Sequence, residues 1–367
     1  MQIDAITLLN FRNYLNLNLN FSNNINIFVG DNAQGKTNLL EAIYLGAMAR
    51  SHRSFSEQEL INWDKEEAVI SIVFFRKHVK NLLKIKLIGN KNKEIIYNNF
   101  NCSLKEVMGS LTAVLFSPED LLIVKGAPAL RRRFLDNEIS QASPSYYKNL
   151  LDYNRITIQR NNLLKNIREN KENIAMLSYW DEQLIKKASL IFLKRMESIK
   201  KLNMIANLYH RKLTLNKESL SINYFLQGLD GEIKDIVDIK EWYYKKLKEH
   251  EKEDIFKGIT SIGPHRDDLI FTINNYNLKN FGSQGQQRTG ILALKLAELE
   301  FIKSETGEYP ILLLDDIMSE LDEKRRNELL FFLKERVQTF ITTTDERYFP
   351  KDLAAKFYKI KEGRVIE

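Results

Sequence analysis

A single cysteine, Cys102, stands in a chain of 367 residues, which excludes an internal disulfide framework and any metal site built from several thiolates. Prolines are few, six in all, and only Pro144 and Pro264 bracket the long stretch between them, so helices there meet few breakers. No apolar run approaches the ~20 residues that cross a bilayer. The opening MQIDAITLLNFRNY places Asp4 and Arg12 where a secretion signal would need an uninterrupted apolar block. We therefore expect a cytoplasmic protein with no membrane partner. Acidic excess is absent as well. The formal net charge of +7 favours an anionic partner, but abundant Asn, Ile and Lys produce such a balance from coding bias as readily as from binding. The basic clusters are Arg76, Lys77, Lys80, Lys84 and Lys86, then Arg131 to Arg133, then Lys194, Arg195, Lys200 and Lys201. Each reads as a solvated face or as a contact for nucleic acid.

At 44% hydrophobic content the chain can bury a sizeable core, and its length suits two domains or lobes. Apolar segments at Ile3 to Leu9, Ile25 to Val29, Ala68 to Phe75, Leu82 to Leu87 and Thr112 to Phe116 read as strands. From about Ser143 the texture turns helical, with Leu150, Leu151, Tyr153 and Ile156, then Leu177, Trp180, Leu184, Ala188 and Ile191 recurring at helical spacing. Strand-like texture returns at Ile270 to Ile273, Ile311 to Leu314 and Gln338 to Thr343. No internal repeat or low-complexity linker is present.

The tightest constraint is the run Gly30-Asp31-Asn32-Ala33-Gln34-Gly35-Lys36-Thr37, which fits G-x-x-x-x-G-K-[ST] behind the strand Ile25 to Val29. A nucleoside triphosphate needs backbone N–H groups aimed at its phosphates, and Gly30 and Gly35 suit positive φ and close approach. Lys36 reaches the β- and γ-phosphates, and Thr37 offers a hydroxyl to Mg²⁺. The helix that follows, with Leu39, Leu40, Ile43 and Tyr44 as an amphipathic pattern, turns its positive end to the anion. The run Ile311 to Asp316 ends a buried strand in two carboxylates, the form expected beside a phosphate loop. Asp315 would hold the metal and Asp316 would orient or deprotonate the attacking water. Upstream, Ser283-Gln284-Gly285-Gln286 opens a helix and offers a hydroxyl and backbone donors to an anion. Ser283 lies 32 residues before Asp315, the order in which ABC-type ATPases carry their signature loop and second acidic motif. Ser319 to Asp322 is similar to the loop by which two such heads touch.

Taken together the chain resembles the RecF family, ABC-type ATPases of bacterial recombinational repair with SMC-like heads. The resemblance runs nearly end to end. Its motifs are the phosphate loop with Asn38, Ser51-His52-Arg53, FSPEDLLIVKGAPALRRRFLD from Phe116 to Asp136, GPHRDDL from Gly263, GSQGQQR from Gly282, LLLDDIMSELD from Leu312, and TTTD from Thr342. It implies an α/β P-loop ABC-type ATPase head with mixed sheets, an inserted helical lid lobe and no long coiled coil. The core would comprise residues 1–115 and 286–367, and the lid 116–285, ending in the signature loop. Gly30 to Asn38 would bind ATP, Thr37 and Asp315 would hold Mg²⁺, and Lys36, Asp315 and Asp316 would carry catalysis. Ser283, Gly285 and Gln286 would face the γ-phosphate held by a second copy, giving an ATP-dependent homodimer. Ser117, Glu119 and Asp120 would start a helix where related heads link core to lid.

Related ATPases commonly carry Glu at the position of Asp316 and His at that of Thr344, so the expected hydrolysis is slow, a switch rather than an engine. The implied function is ATP-dependent binding of gapped or junction DNA during repair and replication restart, assisting recombinase loading and the SOS response, with RecO- and RecR-type partners. Arg53, Lys77, Lys84 and Arg133 are candidate DNA contacts. Two other classes compete. The motor subunit of a membrane transporter usually has its signature about a hundred residues after the phosphate loop, whereas Ser283 lies 246 residues after Thr37. A small-molecule phosphotransferase would need an acceptor pocket and no signature turn.

Overall fold

The computed structural model describes residues 1–54, 56–89, 91–229, 233, 235–333 and 336–366. The chain divides into two units, one of Met1–Leu121 with Leu292–Glu367, the other of Leu122–Ile291. The division falls within the helix Gln284–Thr306.

The first unit holds two six-stranded sheets. One is wholly antiparallel, in the order Tyr14–Asn20, Gln2–Phe11, Glu67–Arg76, Val79–Ile88, Glu94–Tyr97, Phe100–Cys102. Strict alternation makes it: along Glu67–Arg76, Ala68, Ile70, Ile72 and Phe74 are buried while the residues between them are half-buried. The other sheet runs Arg364–Ile366, Ala355–Lys361, Ile25–Val29, Thr339–Thr343, Ile311–Asp315, Ala113–Phe116, and is parallel except for its terminal hairpin. Its inner strands are continuous apolar runs because both faces are covered.

The helix Lys36–Met48 packs against both sheets. The sequence suggested an amphipathic helix, but from Leu39 to Met48 every residue is buried. With sheets on either side no face is left for water, and the helix is apolar nearly all round. One core therefore joins Ile6, Leu8, Ile72 and Ile85 to Leu39, Ile43, Phe340 and Leu313. Several strands escaped the sequence reading. Tyr14–Asn20, YLNLNLN, hides its period of two behind asparagines, which strands disfavour, and Ala355–Lys361, AKFYKIK, carries three lysines that interrupt its apolar pattern.

The second unit carries two long helices, Pro144–Arg168 and Leu177–Leu213, with a three-stranded antiparallel sheet ordered Tyr276–Asn277, Asp268–Ile273, Leu220–Phe225. The 37-residue helix spans about 55 Å at about 1.5 Å per residue, so the described residues hold no long coiled-coil arm. Its interior is polar to an unusual degree. Arg160, fully buried, donates from Nε to Asp181 at 2.7 Å and from Nη1 to Asp254 at 2.8 Å and Thr260 at 2.9 Å. Arg195, also buried, donates to Asp136 at 2.7 Å and to the Pro264 carbonyl at 2.7 Å. Arg131 grips Asp268 through two bonds of 2.6 and 2.9 Å, and Arg132 donates to the Asp267 carbonyl. The motifs RRRFLD and GPHRDDL are thus two halves of one ion network. Two members of the basic clusters, Arg131 and Arg195, are core residues rather than solvated faces or DNA contacts.

Replacing Arg160 by Met leaves two buried carboxylates facing each other, and should cost about 3–5 kcal/mol in denaturant unfolding. A pH effect follows from His265 and Asp267. Burial holds His265 down to about 4, and its Nε2–H donates to the Thr260 carbonyl while Tyr153 bonds Nδ1. Burial pushes Asp267 up to about 6, against the opposing Arg195 charge. The neutral imidazole contributes stability above its unfolded pKa of ~6.5, lost as pH falls through 4. The protonated Asp267 contributes stability below its unfolded pKa of ~3.9, lost as pH rises through 6. The two contributions oppose each other between pH 6 and 4. A His265→Asn variant should therefore gain stability on acidification across that window relative to wild type, measured as urea midpoint against pH.

Candidate nucleotide site

Four strands of the mixed sheet end at one edge, after Val29, Thr343, Asp315 and Phe116, where parallel sheets hold ligands. From Val29 the chain turns through residues 30–35 into the helix beginning at Lys36. Gly35 caps that helix at φ 113°, a conformation L side chains avoid. Gly30 does not have positive φ, contrary to expectation. Its reason is space, since a Cβ there would lie 2.3 Å from the Ile360 carbonyl oxygen of the neighbouring strand. Ala33 takes the positive φ instead, at 64°.

The loop is braced from outside by residues the sequence did not single out. Asn13 donates from Nδ2 to the Gln34 carbonyl at 3.0 Å and accepts at Oδ1 from Asn38 at 2.9 Å. The N–H of Gly363 donates to the same Gln34 carbonyl, and that of Glu362 to Gln34 Oε1. Asp31, Asn32 and Ala33 remain exposed. The Lys36 ammonium, buried beneath the loop, donates to the Gly30 and Asp31 carbonyls at 2.6 and 2.7 Å. Burial lowers its pKa, against the pull of Asp316, Asp31 and Asp315.

Asp315 does not sit on the strand adjacent to the phosphate-loop strand, as the sequence suggested. Thr339–Thr343 lies between them. Its Thr342 closes the gap: the Thr342 hydroxyl donates to Asp315 Oδ1 at 2.7 Å and accepts the Asp316 N–H at 2.9 Å. Thr37 Oγ1 donates to the same Asp315 oxygen at 2.8 Å. Phosphate-loop hydroxyl and acidic strand are therefore locked together through one carboxylate. Asp316 sits at φ 53°, and its Oδ1 is buried without a hydrogen bond from the described residues. Burial and the adjacent Asp315 raise its pKa. A buried carboxylate oxygen left open beside a lysine suits a bound water or a group carrying a proton.

Among the described residues no cluster of three or more His, Cys, Asp and Glu could hold a metal by itself. The hard oxygens of Thr37 and Asp315 still fit Mg²⁺, which is held by one or two carboxylates together with substrate phosphates. Asn32, Ala33, Gly35, Lys36, Thr37, Asn38, Asp316, Thr342 and Arg53 line one cleft of about 200 Å³. Arg53, read from the sequence as a DNA contact, is thus placed at this cleft, and its Nη1 lies 3.4 Å from Asn38 Oδ1.

In the second unit, the Ser283 N–H donates to Gln286 Oε1 at 2.9 Å, and the Gln286 N–H donates to Ser283 Oγ at 3.2 Å, a reciprocal cap at the start of Gln284–Thr306. Ser283 and Gly285 are exposed, and Gln286 donates on to Glu218 at 2.8 Å. A Cβ on Gly285 would meet only Ser283 Oγ, at 3.9 Å. In the first unit Ser117 caps a short turn with Asp120, and Asp120 pairs at 3.1 Å with the largely buried Lys295.

Residues 2–365 match the family described as the RecF/RecN/SMC N-terminal domain. The DNA replication and repair protein RecF of Halothermothrix orenii is 47% identical over all of this chain and 98% of its own length. That of Clostridium tetani is 42% identical over the whole of both chains. A solved structure of the recombination mediator protein RecF in the RecFOR pathway, as RecF-ATP, has a TM-score of 0.92 at 36% identity, covering 100% of this chain and 97% of the other. The Smc head domain of Pyrococcus furiosus, at 15% identity and a TM-score of 0.56, shares the fold.

Gly30→Ala tests the packing of the loop against its neighbouring strand. The added methyl meets backbone that cannot rotate away, so a loss of about 1–3 kcal/mol is expected, read as a lowered thermal midpoint.

Proposed function

The chain belongs to the RecF family of DNA replication and repair proteins, and from that membership we propose that its nucleotide site is a switch completed by a second copy. Within recombinational repair, residues Gly30 to Asn38 bind ATP, with Lys36 reaching the β- and γ-phosphates once they displace its loop carbonyls. Thr37 and Asp315 supply the protein's share of a Mg²⁺ shell, whose chemistry is to neutralise phosphate charge. Asp316 orients the attacking water. Its shorter side chain and the hydroxyl of Thr344 make hydrolysis slow, which suits timing.

The observation that carries this reading is the Asp315 carboxylate shared by Thr37 and Thr342, because it joins the phosphate loop to the acidic strand in the form a metal–triphosphate needs. Gly285 supports the two-copy site. The chain's own packing does not require glycine there, so the open space is available to an approaching ligand. Ser283, Gly285 and Gln286 then seal the γ-phosphate bound by the partner copy, and hydrolysis releases the pair.

The target is gapped or junction DNA, contacted through phosphates and therefore salt-sensitive. Lys77, Lys84 and Arg133 are the candidate contacts. RecO- and RecR-type proteins are the proposed partners for recombinase loading, in the cytoplasm. The transporter reading is not favoured, since full-length relatives are DNA replication and repair proteins.

Sedimentation with ATP and gapped DNA tests the switch. Wild type should pair on ATP addition, and Lys36→Met should neither bind nucleotide nor pair. Gly285→Asp has room for its side chain and adds a carboxylate to a helix's first turn, so its thermal midpoint should hold or rise. Yet it should bind ATP and fail to pair. Pairing by Gly285→Asp as in wild type would refute the shared site.

A further inference from the structure

Glu41 is fully buried on the nucleotide-site helix, one turn beyond Thr37, and no step above uses it. Arg12 holds both its oxygens, Nε to Oε2 at 2.9 Å and Nη2 to Oε1 at 2.8 Å. The Ser51 hydroxyl donates to Oε1 as well. Ser51 Oγ in turn accepts the backbone N–H groups of Arg53 and Ser54, both at 2.9 Å. Arg12 reaches the Ser54 hydroxyl and the Glu59 carbonyl, and the Tyr44 ring on the same helix meets His52 edge-on at 5.3 Å.

The segment Ser51 to Ser54 has no helix or strand of its own. Its backbone is fixed by these bonds, and what it presents is one exposed guanidinium, Arg53, at the cleft shared with Lys36, Thr37 and Asp316. Burying a carboxylate is costly unless it is fully bonded, and an apolar residue would pack such a helix more simply. Burial pushes the Glu41 carboxyl up, but the bonds and charge from Arg12 and Ser51 outweigh it and hold it ionised below the ordinary range.

We propose that Glu41, Arg12 and Ser51 are positioning residues, a buried clamp that sets Arg53 over the phosphates of the bound nucleotide. This rests on the cleft being the ATP site. The helix that donates to the phosphates thereby also sets the register of the arginine that faces them. Ser51 is the hinge of the clamp, because its single oxygen accepts the two N–H groups that orient Arg53 while its O–H donates to Glu41.

Titration of the full-length protein with Mg-ATP tests the clamp in four forms: wild type, Ser51→Ala, Arg53→Ala and the double variant. Each single change should weaken ATP about tenfold. The double should be no weaker than Arg53→Ala alone, because Ser51 acts through Arg53. Ser51→Thr, which keeps the hydroxyl, should restore binding, and thermal midpoints confirm that the variants fold. Multiplicative losses in the double variant would overturn the proposal, as would wild-type affinity in Ser51→Ala. Lys36→Met separates this from the underlying reading. Lost binding there together with either contrary result condemns the clamp alone, whereas retained binding condemns the ATP site and the clamp with it.

Discussion

One carboxylate oxygen organises the nucleotide site. Asp315 Oδ1 receives hydroxyl protons from Thr37, at the start of the buried helix, and from Thr342, on the strand between the phosphate loop and the acidic strand. Remove that convergence and the loop, the central strand and the acidic strand have no common point at the sheet's edge. The arrangement holds because parallel strands ending together deliver three chain segments to one place, and because the register sets Asp315 beside Thr342.

Around that point the sequence uses burial to fix polar groups rather than to avoid them. Lys36 lies under its own loop with its ammonium on carbonyls, Glu41 is enclosed by Arg12 and Ser51, and Asp316 keeps one oxygen without a hydrogen bond from the described residues. In a low-dielectric setting Lys36 and Glu41 keep their geometry, since any other geometry leaves a desolvated charge unpaired. The second unit follows the same rule with Arg131, Arg160 and Arg195, whose guanidinium forks suit paired carboxylates better than an ammonium would. The contrast with Ser283 and Gly285 is informative. That turn is exposed and lightly packed, so its geometry is held by the reciprocal bonds of Ser283 and Gln286 rather than by burial.

Particular errors show where sequence reasoning stops. A run of adjacent arginines, Arg131 to Arg133, looks like a basic face, yet Arg131 is buried against Asp268, a residue more than a hundred positions away. Gly30 was expected to combine positive φ with close approach; the positive φ is absent, and the close approach is to the neighbouring strand. Arg53 was read only as a candidate DNA contact, and its place in the cleft with Lys36, Thr37 and Asp316 had no local signal. Thr342, Asn13 and Arg12 carried no local signal, because their partners lie on other segments: the strand Ile311–Asp315 for Thr342, the phosphate loop and its helix for Asn13, and that helix with residues 54–59 for Arg12. Only TTTD hinted at Thr342, as part of a motif with no stated role for that hydroxyl.

By itself the sequence determined what depends on neighbours along the chain: the phosphate loop opening a helix, the apolar strand ending in two aspartates, the turn at Ser283 opening another helix, the long helices and the family. Periodicity and turn chemistry act over a few residues and are written locally. Only the tertiary structure decided which carboxylate meets which hydroxyl, that a strand intervenes between loop and acid, and that arginines of the basic clusters lie in the core. Those outcomes depend on strand order and on burial, and strand order is set by contacts between segments hundreds of residues apart, which no local pattern encodes.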